Sequence, residues 1–195
     1  PNGVDESLRA VAGPEALIAL YVGNLERYQG IDLMLEGLAQ LPRDTPLQTI
    51  VIGGSAADIE TYRARAAQLG LGDRVHFLGP RPVALLNAYL AQADLLLSPR
   101  TLGQNTPMKV YSYMQSGKAM LATAIRSHTQ VLDGECAELV AAEPAAWAAG
   151  LARLAGDAEH RRRLGAAARV KAESEYSLPA FRARLQQAYV KVAAD

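Results

Sequence analysis

The feature that most constrains the fold is the alternation of short apolar runs with longer amphipathic ones. The runs ALIALYVG (16–23), LQTIVIGG (47–54), VHFLG (75–79), DLLLSPR (94–100), AMLATAI (119–125) and AELVA (137–141) read as six strands. Between them, 30–41, 56–69, 83–93 and 107–115 read as helices. Ile31, Met34, Leu35 and Leu38 share one face of the first, and Leu85, Leu86, Tyr89 and Leu90 turn inward in the third. Beyond the sixth strand the pattern is wholly helical, over 144–155, 158–174 and 178–193. Several strands are apolar on consecutive residues, as burial on both faces requires. Strands separated by helices of this length are βαβ units, and their right-handed crossovers give an α/β fold. The expectation is a doubly wound, Rossmann-like parallel sheet of six strands with a helical C-terminal tail. Such a sheet takes its ligand beyond the carboxyl ends of the strands. Here those ends are Gly23, Gly53–Gly54, Gly79 and Ser98–Pro99–Arg100.

Composition narrows the classes of partner. Twenty basic and 20 acidic residues leave a formal net charge of zero, which argues against a nucleic-acid binder relying on a basic face. The Arg-rich stretch HRRRLGAAAR (160–169) reads as a solvated helical face. One cysteine, Cys136, rules out a disulfide framework and a Cys-rich zinc site, and it fits a reducing compartment. No apolar run reaches the 18–20 residues of a membrane span, and PNGVDESLRA has no basic-then-apolar leader pattern. The expectation is a cytoplasmic domain or one piece of a larger protein, with any membrane contact peripheral.

His76, His128 and His160 lie far apart and offer no metal-ligand spacing. His76 reads as a strand residue satisfied locally. His128 falls near the ligand edge of the sheet, where it either contacts a substrate or packs. Cys136 and Trp147 read as packing. The stretch Gly23–Gly30 lacks the G-x-G-x-x-G dinucleotide spacing, and no P-loop occurs. Gly53–Gly54–Ser55 serves either a close ligand approach or a tight turn.

The stretch 98–125, SPRTLGQNTPMKVYSYMQSGKAMLATAI, carries the most information. Asn105–Thr106–Pro107 reads as a helix start, with Asn or Thr as N-cap and Pro at the first helical position. Free amides at such a helix end form an anion site. Lys109 sits in that first turn, where a cation opposes the helix dipole unless an anion is bound nearby. The alternative is a lysine that snorkels to the surface.

These residues resemble the nucleotide-sugar-binding signature of the group-1 retaining glycosyltransferases, a family with the two-domain GT-B fold. PNGVD (1–5) is similar to that family's interdomain strand, and YVGNLERYQGIDLMLEGL (21–38) to its first βα unit. YSLPAFRARLQQAY (176–189) is similar to its closing helix. The resemblance runs over nearly the whole chain. It implies a donor-binding domain with an interdomain segment at 1–15, a Rossmann-like core at 16–142 and a helical tail at 143–195. The acceptor-binding domain would precede Pro1, and an apolar face including Leu25–Tyr28 would meet it.

The resemblance also assigns donor contacts. The family's basic pair falls on Asn24 and Gln29, next to Gly23, and its two glutamates fall on Gln104 and Ser112. None of the four carries charge, which leaves Arg27, Arg100 and Lys109 as cations, with Asn105 and Thr106 at the helix start. The implied activity is transfer of a sugar from a nucleoside-diphosphate sugar with retention of configuration, needing no cofactor and no metal. A GT-B nucleotide-sugar epimerase and a noncatalytic interaction module are the alternatives.

Overall fold

The computed structural model describes residues 7–194, so the PNGVD segment lies outside the described residues. A short helix α1 (Leu8–Ala12) leads into β1 (Leu17–Val22), α2 (Ile31–Ala39), β2 (Leu47–Ile52), α3 (Ala56–Gln68) and β3 (Val75–Gly79). Then follow α4 (Leu86–Gln92), β4 (Leu95–Ser98), α5 (Met108–Ser116), β5 (Ala119–Thr123), α6 (Arg126–Thr129) and β6 (Glu138–Val140). The tail comprises α7 (Pro144–Gly156), α8 (Ala158–Glu175) and α9 (Leu178–Ala194).

The six strands form one parallel sheet in the order β3-β2-β1-β4-β5-β6. Leu20 pairs with Ile50 on one side and Leu96 on the other. The strand order reverses between β1 and β4, and that switch point opens a crevice at their carboxyl ends.

Consecutive apolar residues on each strand supply two cores rather than one. Ala19, Tyr21, Val51, Leu95, Leu97 and Leu121 face a cluster completed by α2, α3 and α7. Ile18, Leu20, Ile50, Leu96, Met120 and Ala122 face the other, completed by α1, α4, α5 and α8. Each fully buried aliphatic side chain contributes about 1.5–3 kcal/mol. Trp147 of α7 is wholly buried and lies on α2 at Gly37, where an added Cβ would come within 2.6 Å of the indole. Gly37→Ala would force these two helices apart.

The structure refines the expected boundaries. The helix expected over 83–93 starts as a 3₁₀ turn (Val83–Leu85) and becomes α-helical only at Leu86. Pro107 is not the first helical residue: its ψ of 132° is extended, so it is itself the cap of α5, and neither Asn105 nor Thr106 caps it. The helices α1 and α6 were not foreseen. Both are five residues or shorter, too brief for a 3.6-residue period to show. Leu25, expected on an exposed face, is 1% exposed and belongs to the α2-side core.

Candidate functional site

Three loops meet at the switch point. The β1–α2 loop comes within touching distance of the end of β4, because Gly30 (φ +76°) presents no side chain to Pro99. A Cβ there would lie 1.9 Å from the Pro99 carbonyl oxygen. The Thr101 amide then donates to the Tyr28 carbonyl at 3.0 Å. On the other side, Gly53 presses against Gly23, where a Cβ would fall 2.2 Å from the Gly23 oxygen, and the Gly23 amide donates to Ile52 at 3.0 Å. The Gly53–Gly54 pair therefore serves strand-end packing and a tight turn.

Lys109 enters this junction from the first turn of α5. Its stem is partly exposed, but its Nζ is enclosed and has no hydrogen-bond partner. The ammonium lies over the face of Tyr21, 3.9 Å from the ring centroid. It also lies 2.9 Å from where a Cβ on Gly23 would stand, so it reaches across the crevice to the end of β1. Burial, reinforced by the Arg100 cation, pushes its pKa down to about 7. A buried cation without an acceptor costs free energy that a bound anion would relieve. The snorkelling alternative does not describe it.

Arg100 is engaged differently. Its Nε donates to the Leu102 carbonyl at 2.7 Å and its Nη1 to the Asn105 carbonyl at 3.3 Å. The guanidinium also covers Tyr28 at 5.1 Å. It wraps its own loop, and Gly103 leaves room for it: a Cβ there would sit 2.2 Å from the Nη2 atom. Gln104 contributes a carbonyl that accepts from Gln130 Nε2 at 2.7 Å.

His128 lies fully buried beneath this loop, so it packs and does not present its ring to a substrate. Its Nδ1 donates to the Thr123 carbonyl at 2.8 Å, leaving Nε2 to accept from Ser98 Oγ at 2.8 Å. Thr123 Oγ1 donates onward to the Arg100 carbonyl. Burial, with Lys109 and Arg100 nearby, lowers the His128 pKa to about 4 and keeps the ring neutral. His76, by contrast, meets Gln48 Oε1 at 2.8 Å, the local satisfaction expected for a strand residue.

Of the candidate contacts, Gly23 and Lys109 come together at the crevice. Asn24 is exposed, although its carbonyl accepts from Tyr21 Oη at 2.5 Å. Gln29 is half-buried, with its Oε1 enclosed and unpartnered. Arg27 is exposed and lines an open groove with Asp32, Glu36 and Thr101; Lys109 does not line that groove. Asn105 is exposed, whereas Thr106 and Ser112 are half-buried at the start and second turn of α5. Sequence reasoning missed Tyr21 and Thr123 as parts of the site, because in sequence each is only a residue of a buried strand. Exposed apolar side chains line the rim: Val83, Leu102 and Met108 stand 85%, 69% and 78% exposed, more open than Tyr28 at 37%. A small, mostly apolar recess at Val83 is walled by Val22, Ile52, Arg81, Pro82, Val83, Leu86 and Tyr89. Among the described residues no cluster of His, Cys, Asp and Glu is placed to hold a metal ion, and no helix is long and apolar enough to cross a membrane.

Comparison with known proteins agrees with this architecture. The family described as "Glycosyl transferases group 1" matches residues 6–171. The D-inositol 3-phosphate glycosyltransferase of Corynebacterium glutamicum is 31% identical over 180 residues, covering 88% of this chain and 43% of that protein. Its counterpart from Corynebacterium efficiens is 30% identical over 84% of this chain and 41% of that protein. The chain thus spans less than half the length of these relatives. Among solved structures, Anabaena HepE in complex with UDP superposes with a TM-score of 0.80 at 20% identity, over 94% of this chain and 51% of that one. The C-terminal domain of a group 1 family protein (LpcC) from Francisella tularensis superposes with a TM-score of 0.73 at 15% identity, over 90% and 95% of the two chains.

Proposed function

The chain belongs to the group 1 glycosyl transferases, and from that premise we propose that it is the donor-binding domain of a retaining enzyme using a nucleoside-diphosphate sugar. The observation that carries the reading is Lys109, an enclosed and unpartnered ammonium at an uncapped helix N-terminus on the switch-point crevice. Sugar transfer leaves a nucleoside diphosphate on which negative charge develops, and fixed donors aimed at that charge lower the barrier. The α5 amides and Lys109 supply such donors. The neutral residues Asn24 and Gln29 stand where the resemblance puts a basic pair, and Lys109 brings its charge to the same crevice from α5. The small apolar recess beside Val83 suits the flat face of a nucleobase. HepE, which shares the fold, is described in complex with UDP, and this supports the class of ligand.

The acceptor site belongs to a preceding domain that closes the cleft, and the exposed rim of Val83, Leu102 and Met108 would face it. Positioning two substrates together accounts for about 7–11 kcal/mol of a barrier, more than one half of a cleft can supply. The 195-residue chain is accordingly expected to transfer no sugar. Robust turnover by it in a sugar-release assay would sink the two-domain reading.

Calorimetric titration with UDP and GDP at fixed salt tests donor binding. A charge-assisted hydrogen bond contributes about 1.5–3 kcal/mol, so Lys109→Ala should weaken the better ligand roughly 10- to 150-fold. Equal affinities for wild type and variant would remove Lys109 from the site. No stabilisation by any of UDP-, GDP-, ADP- or CMP-linked ligands at millimolar concentration would favour the noncatalytic alternative, which the four uncharged positions also favour.

A further inference from the structure

We propose that Tyr21 is a positioning residue for the phosphate-binding cation: its ring face holds the Lys109 ammonium in the crevice until a diphosphate arrives. The inference rests on the donor-binding reading above and adds to it a residue that is not among the donor contacts assigned from the resemblance.

Three observations converge on it. The Lys109 ammonium has no oxygen partner, yet it is not loose, since it stands 3.9 Å from the centroid of the Tyr21 ring. An aromatic face attracts a desolvated cation without neutralising it, so the charge stays available to an anion. The ring is itself fixed. Tyr21 is wholly buried in β1, and its hydroxyl donates to the Asn24 carbonyl at 2.5 Å, which ties it to the loop around the crevice. Finally, the hydroxyl of Tyr113, on α5 one turn beyond Lys109, accepts nothing from the ammonium; it accepts from the Val22 amide at 2.9 Å and locks α5 to the end of β1. The face of Tyr21 is thus the one hold on Lys109 among the described groups. A carboxylate in its place would hold the lysine more tightly and would also compete with the ligand.

The test is a double-mutant cycle read by UDP titration of the 195-residue chain, with thermal unfolding as the folding control. Tyr21→Leu should weaken UDP about 5- to 30-fold in the wild-type background, the worth of a desolvated cation–ring contact, and less than about two-fold in a Lys109→Met background. Tyr21→Phe keeps the face and loses only the tie to Asn24, so it should stay within about three-fold of wild type. Equal costs of Tyr21→Leu in both backgrounds would overturn the proposal, as would a Phe variant as weak as the Leu variant. Should Tyr21→Leu fail to fold, two measurements still decide: the Phe variant, and the proton shift of the Lys109 methylene next to nitrogen in wild type. That methylene must be moved strongly upfield by the ring; an ordinary lysine shift overturns the proposal. Absence of UDP binding to wild type, or full affinity in Lys109→Met, is a different result. It brings down the donor reading itself and this proposal with it.

Discussion

Two strand-to-helix turns flank the end of β1 at the carboxyl edge of the sheet and are finished in opposite ways. At the β2–α3 turn, Ser55 Oγ accepts from the Asp58 amide at 3.2 Å, while the Asp58 carboxylate accepts from the Ser55 amide at 3.2 Å. This reciprocal box satisfies the helix end and places an anion where the dipole favours one. At the β4–α5 turn no side chain caps the helix, and the first turn carries a cation whose ammonium is enclosed and unpartnered. The first turn is complete from within the chain. The second has its charge reversed and no side-chain cap, so it gains most from an anion that comes from outside. The helix end that a local signal marks as well formed is therefore the structural one, and the badly formed one is where a ligand is to be sought.

The largest expected break between the two turns is in the pH dependence of stability. Lys109 titrates near 7 in the folded protein and near 10.5 when unfolded. Between those values the unfolded chain binds the extra proton, so stability rises with pH across that window. Below about pH 7 the ammonium is charged in both states, and the full cost of enclosing it is felt. The difference in unfolding free energy between wild type and Lys109→Met should therefore shift in favour of wild type by about 2–4 kcal/mol from pH 7 to 10. Urea melts of both proteins measure it. A flat difference curve would mean the lysine is solvated, and the contrast between the turns would collapse.

His128 supplies the next effect, on the acid side. Its pKa is about 4 folded against 6.5 unfolded, so stability present above pH 6.5 is lost as the pH falls toward 4. The expected loss is about 2–3 kcal/mol, absent from His128→Gln. Because the ring links Ser98 to Thr123, and Thr123 holds the Arg100 carbonyl, the loop leading into α5 should loosen first. Hydrogen exchange at 100–106 in acid checks this. Loss of protection at the Ser55–Asp58 turn before that loop would reverse the comparison.

What the sequence made legible follows the same division. The six strands, their two-sided burial and the reversal of strand order are consequences of periodicity and crossover hand, which composition along the chain records directly. Helix α5 was placed to within one residue, and Lys109 was singled out because a cation in a first turn violates a local rule. The hold on that lysine was invisible. Tyr21 stands 88 positions earlier, and nothing in ALIALYVG says that one face of its ring looks into a crevice. Leu25 was misread for a related reason: the loop after β1 folds back over Gly54, where an added Cβ would lie 2.5 Å from the leucine Cδ1. That tertiary closure turns an apolar loop residue inward, and no local pattern encodes it. Arg100 is a candidate cation in the sequence, and only the structure shows that its guanidinium also bonds the Leu102 and Asn105 carbonyls.

The smallest expected effect sharpens the comparison from the capped side. Ser55→Ala removes the hydroxyl that accepts from the Asp58 amide and donates to the Asp58 carboxylate at 2.6 Å. Loss of such a cap costs about 1 kcal/mol of stability, and the half-buried Asp58 can recover part of it through the helix dipole. UDP affinity should not change, since Ser55 completes its own helix and has no anion to share. The reverse substitution at the other turn is informative for the same reason. Thr106→Asp would bring a carboxylate beside the uncapped α5 terminus, where the dipole and Lys109 both attract it. The folded state should gain up to about 1 kcal/mol, while UDP, now competing with a built-in anion, should bind more weakly. Stability and affinity would then move in opposite directions at β4–α5 and independently at β2–α3. Parallel changes in both quantities at both turns, seen by thermal unfolding and titration, would show that the two helix ends differ only in their local capping and that neither is built for a ligand.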